Sequence, residues 1–284
     1  MNVLAKRNLK IFFRDKSNVF FSFLAVFIIL GLYVIFLGDL MKKSFTQLTH
    51  VDFVVDSWVM AGILAVTSIT ATLGAFGIMV GDRSSRIIKD FAAAPVSKNS
   101  IAAGYIISVI VIGLIMSVIT FGFAELYIYL KGGELLSFIS ALQVLGLIVL
   151  SVLASSSIIF FISSFISSQN AFSTVGTIVG TLIGFLTGIY IPIGSLPEAV
   201  QFLIKIFPVS HAAALFRQVM LERPMELSFS GADEQAVNSF QLDMGVHYQF
   251  GSFSTNTVMS ITYLLITMVV FYLLALMNIA RKNK

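Results

Sequence analysis

The stretch Gly188-Ile-Tyr-Ile-Pro-Ile-Gly-Ser-Leu-Pro197 decides how this sequence must fold. It ends an apolar segment, residues 172–191, whose length of about 20 residues is enough to cross a bilayer as a helix. Two shorter helical segments follow, 198–207 and 208–217, and neither can span a membrane at about 1.5 Å per residue. Prolines separate these segments, which predicts a re-entrant helical hairpin. Such backbone is tolerated at membrane depth only where protein buries it or water lines it, so the pattern indicates a translocation route rather than a simple anchor.

Composition places the whole chain in a membrane. Of 284 residues, 57% are apolar and only 11% are charged, whereas soluble domains carry about 25% charged residues. The absence of cysteine excludes disulfides, zinc–thiolate sites and iron–sulfur clusters. The three histidines show no ligand spacing, so we expect no metal site. Basic residues flank the apolar segments instead of clustering with aromatic residues, so we expect no nucleic-acid partner.

Six apolar segments predict six transmembrane helices, and hence an all-α integral membrane protein with one domain, residues 1–284. They cover about 17–37, 58–80, 101–124, 140–165, 172–191 and 257–280. Residues 2–16 mix basic and apolar side chains, which predicts an interfacial amphipathic helix; a basic tail that only fixes topology is the alternative. Residues 192–256 are expected to form an external hairpin and a partly folded lobe, because the lobe is too rich in aromatic residues for disorder.

The basic residues set the orientation. Twelve of them lie on the side that holds both termini and the loop after the second span, and six lie on the other side. By the positive-inside rule both termini are cytoplasmic, which six spans also require.

The only long cytoplasmic loop, residues 81–99, reads GDRSSRIIKDFAAAPVSKN. Ile87, Ile88 and Phe91 fall on one side of a short helix, which Pro95 ends. We interpret this helix as a docking element for a soluble cytoplasmic partner, although an ordinary polar loop is the alternative. Its polar neighbours, which we expect to orient the partner, are Asp82, Arg83, Arg86 and Asp90.

Several features of the sequence occur together and in a fixed order. An interfacial N-terminal helix and six spans accompany a cytoplasmic helix that ends in a Pro95-Val96-Ser97 turn. The fifth span ends in a G-x-x-x-P-x-x-x-L-P pattern, which Phe207-Pro208-Val209-Ser210 and Arg217 follow. In this combination the chain resembles the permease subunits of ABC-2 type transporters. It departs from them in having Ser84, Ser85 and Arg86 where many members carry a glycine, and in a long external segment, 221–256, which suggests an added external function or a lid.

The resemblance implies the membrane half of an ATP-driven exporter in a bacterial plasma membrane. Its substrate would be an amphiphile such as a drug, an antimicrobial peptide or a lipid. Membrane lipids would surround the permease. No Walker A sequence occurs, so we expect no catalytic residue and no cofactor in this chain. ATP and Mg would be bound by a separate cytoplasmic ABC ATPase subunit, present in two copies. A second permease copy or a close relative would complete the assembly.

Three further groups of residues are candidates for function. Gly176, Gly180, Gly184 and Gly188 recur every four residues, which predicts one helix face that allows close approach. That face could pack within the chain, and the resemblance favours a dimer contact or the central pathway. Glu125, near the outer end of its span, could extend to the surface or contact substrate. The external gate, whose alternative is a static plug, would comprise Pro192, Leu196, Pro197, Leu203, Phe207 and Pro208.

Two other classes of protein compete with this interpretation. An ion-coupled secondary transporter would place ionisable groups near the span centres and show inverted repeats, and we see neither. A six-span intramembrane enzyme would need a serine nucleophile and a histidine within its spans, and no span contains a histidine.

Overall fold

The computed structural model describes residues 2–45, 48–93 and 97–282, and these are almost entirely helical. Helix α1 (Asn2–Arg14) precedes a continuous unit made of α2 (Lys16–Leu32), a π-helical turn (Tyr33–Leu37) and α3 (Gly38–Ser44). Next come α4 (Val51–Ser84), α5 (Ile87–Ala93), α6 (Lys98–Leu130) and α7 (Phe138–Phe165). The remaining helices are α8 (Gln169–Leu186), α9 (Glu198–Ile206), α10 (Pro208–Met220), α11 (Glu222–Ser228), α12 (Glu234–Asp243) and α13 (Thr257–Lys282). Strands β1 (Gln249–Phe250) and β2 (Phe253–Ser254) pair antiparallel, with Gln249 opposite Ser254.

Several of these helices are suited to a membrane. Within the described residues, five helical segments are long and apolar enough to cross one, and the bent pair α9–α10 would add a sixth if it counted as one span. The five are Lys16–Ser44, Val51–Ser84, Ser100–Leu130, Phe138–Phe165 and Thr257–Ile279. The prediction of an all-α membrane fold is therefore confirmed. Helix α8, which corresponds to the predicted fifth span, is not among the five: its 18 residues cover about 27 Å, and many of them are polar or small.

Helix α4 is the centre of the bundle. Its most apolar window is 89% buried, and α2, α6, α7, α8 and α10 pack around it. Thr67, Ser68 and Thr72 donate to carbonyls one turn earlier in the same helix, so their hydroxyls are satisfied within the core. The Ser68 hydroxyl also lies 2.7 Å from that of Ser151 on α7. Small polar contacts of this kind let helices approach closely in a membrane.

The bundle has two chemically different ends. At the end that we call the basic end, α1, α5 and the last turns of α4, α7 and α13 meet. At the opposite end, the lobe end, lie the α9–α10 pair and the lobe, which we define as residues 222–254. The lobe contains helices α11 and α12 and the β1–β2 pair.

Helix α1 lies at the basic end and is separated from the first span by Asp15. The Asp15 carboxylate accepts the backbone N–H groups of Ser17 and Asn18 at 3.0 and 3.2 Å, which makes it the N-cap of α2. Phe12 is buried against the bundle, whereas Val3 on another face is 84% exposed. A helix with one buried face and further exposed apolar side chains is suited to the interface that was predicted for residues 2–16.

Candidate functional site

Helix α5 lies at the basic end between α4 and α6, where the sequence predicted a docking helix. Ile87, Ile88 and Phe91 are half-buried on this helix, and Asp90 is exposed. The predicted anchors therefore lie on one short helix. Pro95, the predicted end of that helix, lies outside the described residues.

Arg7 links α5 to three other helices. Its guanidinium donates to both carboxylate oxygens of Asp82, at 2.6 and 3.0 Å, and the Tyr105 hydroxyl donates to Asp82 at 2.5 Å. The same guanidinium lies 5.4 Å from the centre of the Phe91 ring, in cation–π geometry. Hydrogen bonding to Asp82 raises the pKa of Arg7, so the group stays charged. One side chain of α1 thus contacts the end of α4 and the middle of α5, and the shared Asp82 carboxylate links it to Tyr105 of α6.

The sequence predicted that Asp82 and Arg83 orient a cytoplasmic partner. Both side chains instead contact other helices of the same chain. Asp82 is 5% exposed and is occupied by Arg7 and Tyr105. Arg83 donates to the carbonyls of Ser163 and Ile166, at 3.0 and 2.6 Å, at the end of α7. The physical reason is that both residues belong to the last turn of α4, where other helices surround them. The candidates for partner contact are therefore Arg86, Ile87, Ile88, Asp90 and Phe91.

A groove of about 990 Å³ runs between α2 and α8, with α4 as its floor. Gly176, Gly180, Thr177 and Thr181 of α8 line it. A methyl group added at Gly180 would meet nothing within 4 Å, and one at Gly176 would meet only Leu73, at 3.8 Å. These two glycines therefore do not serve close helix packing within the chain.

The other two glycines of the predicted stripe have different roles. Helix α8 ends at Leu186, so Gly188 is not on its face; with φ of 63° it is the left-handed residue of a Schellman cap. The cap bonds join the N–H of Gly188 to the Phe185 carbonyl and the N–H of the next residue to the Gly184 carbonyl, both at 3.0 Å. A methyl group on Gly184 would lie 2.2 Å from the Tyr190 ring. The prediction of one continuous glycine face is therefore wrong for Gly188, which lies beyond the end of α8, whereas Gly184 lies on the helix and packs against Tyr190 of the same chain.

The predicted hairpin is present at the lobe end. Helices α9 and α10 meet at an 85° bend, where Pro208 begins α10 and cannot continue α9. Pro192 and Pro197 bound the turn that leads into α9, and Leu196 packs within it. Helix α10 is buried, but α9 lies at the surface, where Leu203 is 53% exposed and Phe207 is half-buried.

Arg217 joins the hairpin, the end of α8 and the lobe. It is 1% exposed and donates to the carbonyls of Thr187 and Gly245, at 3.0 and 3.3 Å. Its guanidinium lies 4.6 Å from the centre of the Trp58 ring, and the Trp58 indole donates to the Met244 carbonyl at 2.7 Å. The arginine of the sequence pattern is therefore a buried junction between three segments.

Sequence reasoning missed Asp56, a buried acid near the start of α4 that is 2% exposed. The Tyr33 hydroxyl donates to it from the π-helical turn, and Lys42 lies 3.9 Å away while pairing with Asp52 at 2.6 Å. The predicted second span began at Trp58, which left Asp56 in a loop. The helix begins at Val51 instead, and the apolar residues 53–55 before Asp56 were the available signal.

Glu125 lies near the end of α6 and lines a pocket of about 450 Å³ at the lobe end. One carboxylate oxygen accepts the N–H of Leu136 at 2.9 Å. The other is buried and has no hydrogen-bond partner among the described residues. Glu125 therefore does not extend freely to the surface, which was one of the two alternatives. Across the described ranges no group of three His, Asp or Glu side chains could hold a metal ion.

Comparison with known proteins identifies one family. A family model described as ABC-2 type transporter matches residues 1–221, which covers every element from α1 to α10 and stops where the lobe begins. No curated protein gives a significant match.

Proposed function

Because the chain belongs to the ABC-2 type transporter family, we propose that it is the permease of an ATP-driven exporter of amphiphilic molecules. Family membership makes it a multi-pass membrane protein and a transport component, and members function with a separate ATP-binding subunit. Membership also argues against the ion-coupled and enzymatic alternatives. Our proposal adds outward transport of a drug, antimicrobial peptide or lipid, two ATPase copies, two permeases, and a bacterial plasma membrane with both termini cytoplasmic.

The attachment of α5 to Arg7 is the observation that supports coupling to a separate ATPase. A partner that binds the half-buried face of α5 presses on Phe91, and Phe91 contacts the Arg7 guanidinium. Arg7 in turn bonds Asp82 at the end of α4, the central helix. Displacement of α5 by an ATPase would therefore reach the bundle centre through one charged contact.

The test is association of this chain with a co-expressed candidate ABC ATPase subunit. Buried aromatic anchors commonly cost 1 kcal/mol or more when truncated, so Phe91→Ala should weaken the complex about tenfold. Phe91→Ala also removes the Arg7 contact, so Ile88→Ala serves as a second variant that leaves that contact in place. Phe138→Ala, at an 84% exposed phenylalanine of the lobe end, is the control. Normal association and normal coupled ATP hydrolysis in both α5 variants would refute the docking role.

Pairing of two permeases through the α2–α8 groove is the second part of the proposal. The exposed side of α8 carries Thr177 and Thr181, whose hydroxyls bond their own backbone, and a second copy facing it would enclose a polar route. Since the chain has no cysteine, Thr177→Cys introduces a single thiol there. It should cross-link two copies in membranes, whereas Ile266→Cys on the 56% exposed side of α13 should not. The reverse pattern would place the dimer contact on α13.

The α9–α10 hairpin is proposed as the external gate, because surface helix α9 is joined by a stiff proline bend to buried α10. Leu203→Cys should change its rate of labelling by a membrane-impermeant thiol reagent during ATP turnover. Val258→Cys, 69% exposed at the start of α13, is the control. Equal rates with and without turnover at Leu203 would favour the static plug.

A further inference from the structure

Two adjoining pockets at the lobe end form one cleft. The larger pocket, about 880 Å³, lies between α7, α10, α13 and the lobe. Its lining is mostly apolar and includes Leu147, Met225 and Phe229. The smaller is the 450 Å³ pocket that contains Glu125. Gln143, Val219, Glu222 and Glu226 line both pockets, so the two are continuous. Cavities of about 300–1,000 Å³ are typical of sites for small molecules.

The smaller pocket carries an excess of negative charge. Its charged side chains are four carboxylates, Glu125, Glu134, Glu222 and Glu226, and one guanidinium, Arg223. Arg223 pairs with Glu134 and Glu226, each at 2.8 Å, and these three groups are exposed at the mouth. Glu125 lies deeper and Glu222 stands at the junction of the pockets. The two carboxylates that Arg223 does not pair with therefore lie along the cleft.

The inner wall of the smaller pocket has two polar groups without hydrogen-bond partners among the described residues. Ser57 of α4 is 1% exposed and lines this pocket, yet its hydroxyl has no hydrogen-bond partner among the described residues. Other buried hydroxyls of α4, such as Thr67 and Thr72, all bond a carbonyl of their own helix. One oxygen of Glu125 is likewise buried and unpaired in the described structure. Buried polar groups are normally satisfied, so the Glu125 oxygen requires a donor, and the Ser57 hydroxyl requires a partner for which it can act as acceptor or donor.

We propose that this cleft binds a cationic amphiphile, with a protonated amine at Glu125 and Ser57 and an apolar chain in the larger pocket. A primary ammonium supplies three donors and no acceptor, which matches unpaired carboxylate and hydroxyl oxygens. Its charge matches the excess of carboxylates. The inference rests on the proposed function, since it specifies the substrate class of the exporter, and it places that substrate at the lobe end.

Binding of matched probes to the purified full-length chain tests the inference. Three dansyl-labelled probes share an undecyl chain and end in a primary amine, an acetamide or a carboxylic acid. Titrations use nanodiscs of zwitterionic lipid, with empty nanodiscs subtracted. The amine probe, charged at neutral pH, should bind about tenfold more tightly than the acetamide probe, and the acid probe should bind most weakly. In Glu125→Gln this preference should fall to within about twofold of unity, while Glu198→Gln, an exposed acid outside the cleft, should keep it.

Each outcome decides the inference. No preference for the amine in the unmodified protein overturns it, and so does a preference that Glu125→Gln leaves intact. If Glu125→Gln does not fold, the exposed Glu222→Gln replaces it, and a fall from tenfold to about threefold supports the site whereas no change overturns it. Because no ATPase is present, failure here leaves the coupling proposal untouched, and failure of ATPase association leaves this result standing.

Discussion

Arginines bind backbone carbonyls just before and just after α8, in different surroundings. At the basic end, Arg83 of α4 binds the carbonyls of Ser163 and Ile166, just before α8 begins. At the lobe end, Arg217 of α10 binds the carbonyls of Thr187 and Gly188, just after α8 ends. Arg83 is half-buried, whereas Arg217 is 1% exposed. Cations near helix C-termini are favoured because the last carbonyls carry partial negative charge.

The chain is therefore held by arginines on both sides of α8, while the middle of α8 lines an open groove. Water can replace Arg83 at the basic end, but it cannot reach the carbonyls around Arg217 without entering the core. Between the two arginines, a methyl group added at Gly180 would meet nothing within 4 Å beyond its own helix backbone. A helix with this combination can bend or shift in its middle while its ends stay in place, which suits the proposed pathway.

The largest expected effect is that of Arg217→Ala. The change leaves the carbonyls of Thr187, Gly188 and Gly245 without a buried donor and removes the side chain that stacks on Trp58. Each buried carbonyl left without a hydrogen bond costs about 1–3 kcal/mol, so the free energy of unfolding should fall by on the order of 4 kcal/mol. Thermal unfolding of the purified variant measures this. Arg217→Lys should recover only part, because one ammonium cannot bridge both sides of the junction.

Arg83→Ala should be clearly milder. Its two carbonyl contacts lie at the half-exposed basic end, where water can take over, so the expected loss is about 1 kcal/mol. Arg14→Ala, an exposed arginine of α1, is the control and should change the unfolding temperature little. A loss for Arg83→Ala as large as that for Arg217→Ala would show that burial does not set the difference between the two attachments.

The elements of this fold could be read from the sequence more fully than its contacts. Apolar length predicted the helices, and three prolines predicted the hairpin, because both signals are local. The partners of Arg217 are distant in sequence, and carbonyls leave no trace in side-chain pattern. Asp82 and Arg83 looked like loop charges because helix α4 ends in polar residues, so their inward contacts were missed. The four-residue spacing of the glycines was compatible with an open face at Gly180. It could not show that Gly188 is a helix cap, because that depends on the residue at which α8 ends.

A smaller effect is expected at the cap that ends α8. Gly188 has φ of 63°, and a methyl group there would find its nearest neighbour, the Ile191 carbonyl, at 3.8 Å. Gly188→Ala therefore costs only backbone strain, about 1 kcal/mol. Gly180→Ala, in the open middle of the same helix, should instead leave stability unchanged or raise it by about 0.5 kcal/mol. Equal losses in the two variants would contradict the assignment of Gly188 as the cap.

The smallest effect is expected from replacing a residue by glycine, rather than glycine by alanine, just after the end of α4. Arg86 follows the last turn of α4 with φ of 63°, the same value as Gly188, and its N–H bonds the Arg83 carbonyl at 3.2 Å. Glycine adopts this conformation without strain, so Arg86→Gly should raise the free energy of unfolding by about 0.5 kcal/mol. The same variant should weaken ATPase association, because Arg86 is exposed beside α5. Arg86→Asn, which also tolerates the left-handed region, removes the charge at less backbone cost than other residues and is the matched comparison. A stability gain with unchanged ATPase association would remove Arg86 from the docking surface, whereas a loss of stability would show that its side chain makes a contact worth more than the strain of its backbone.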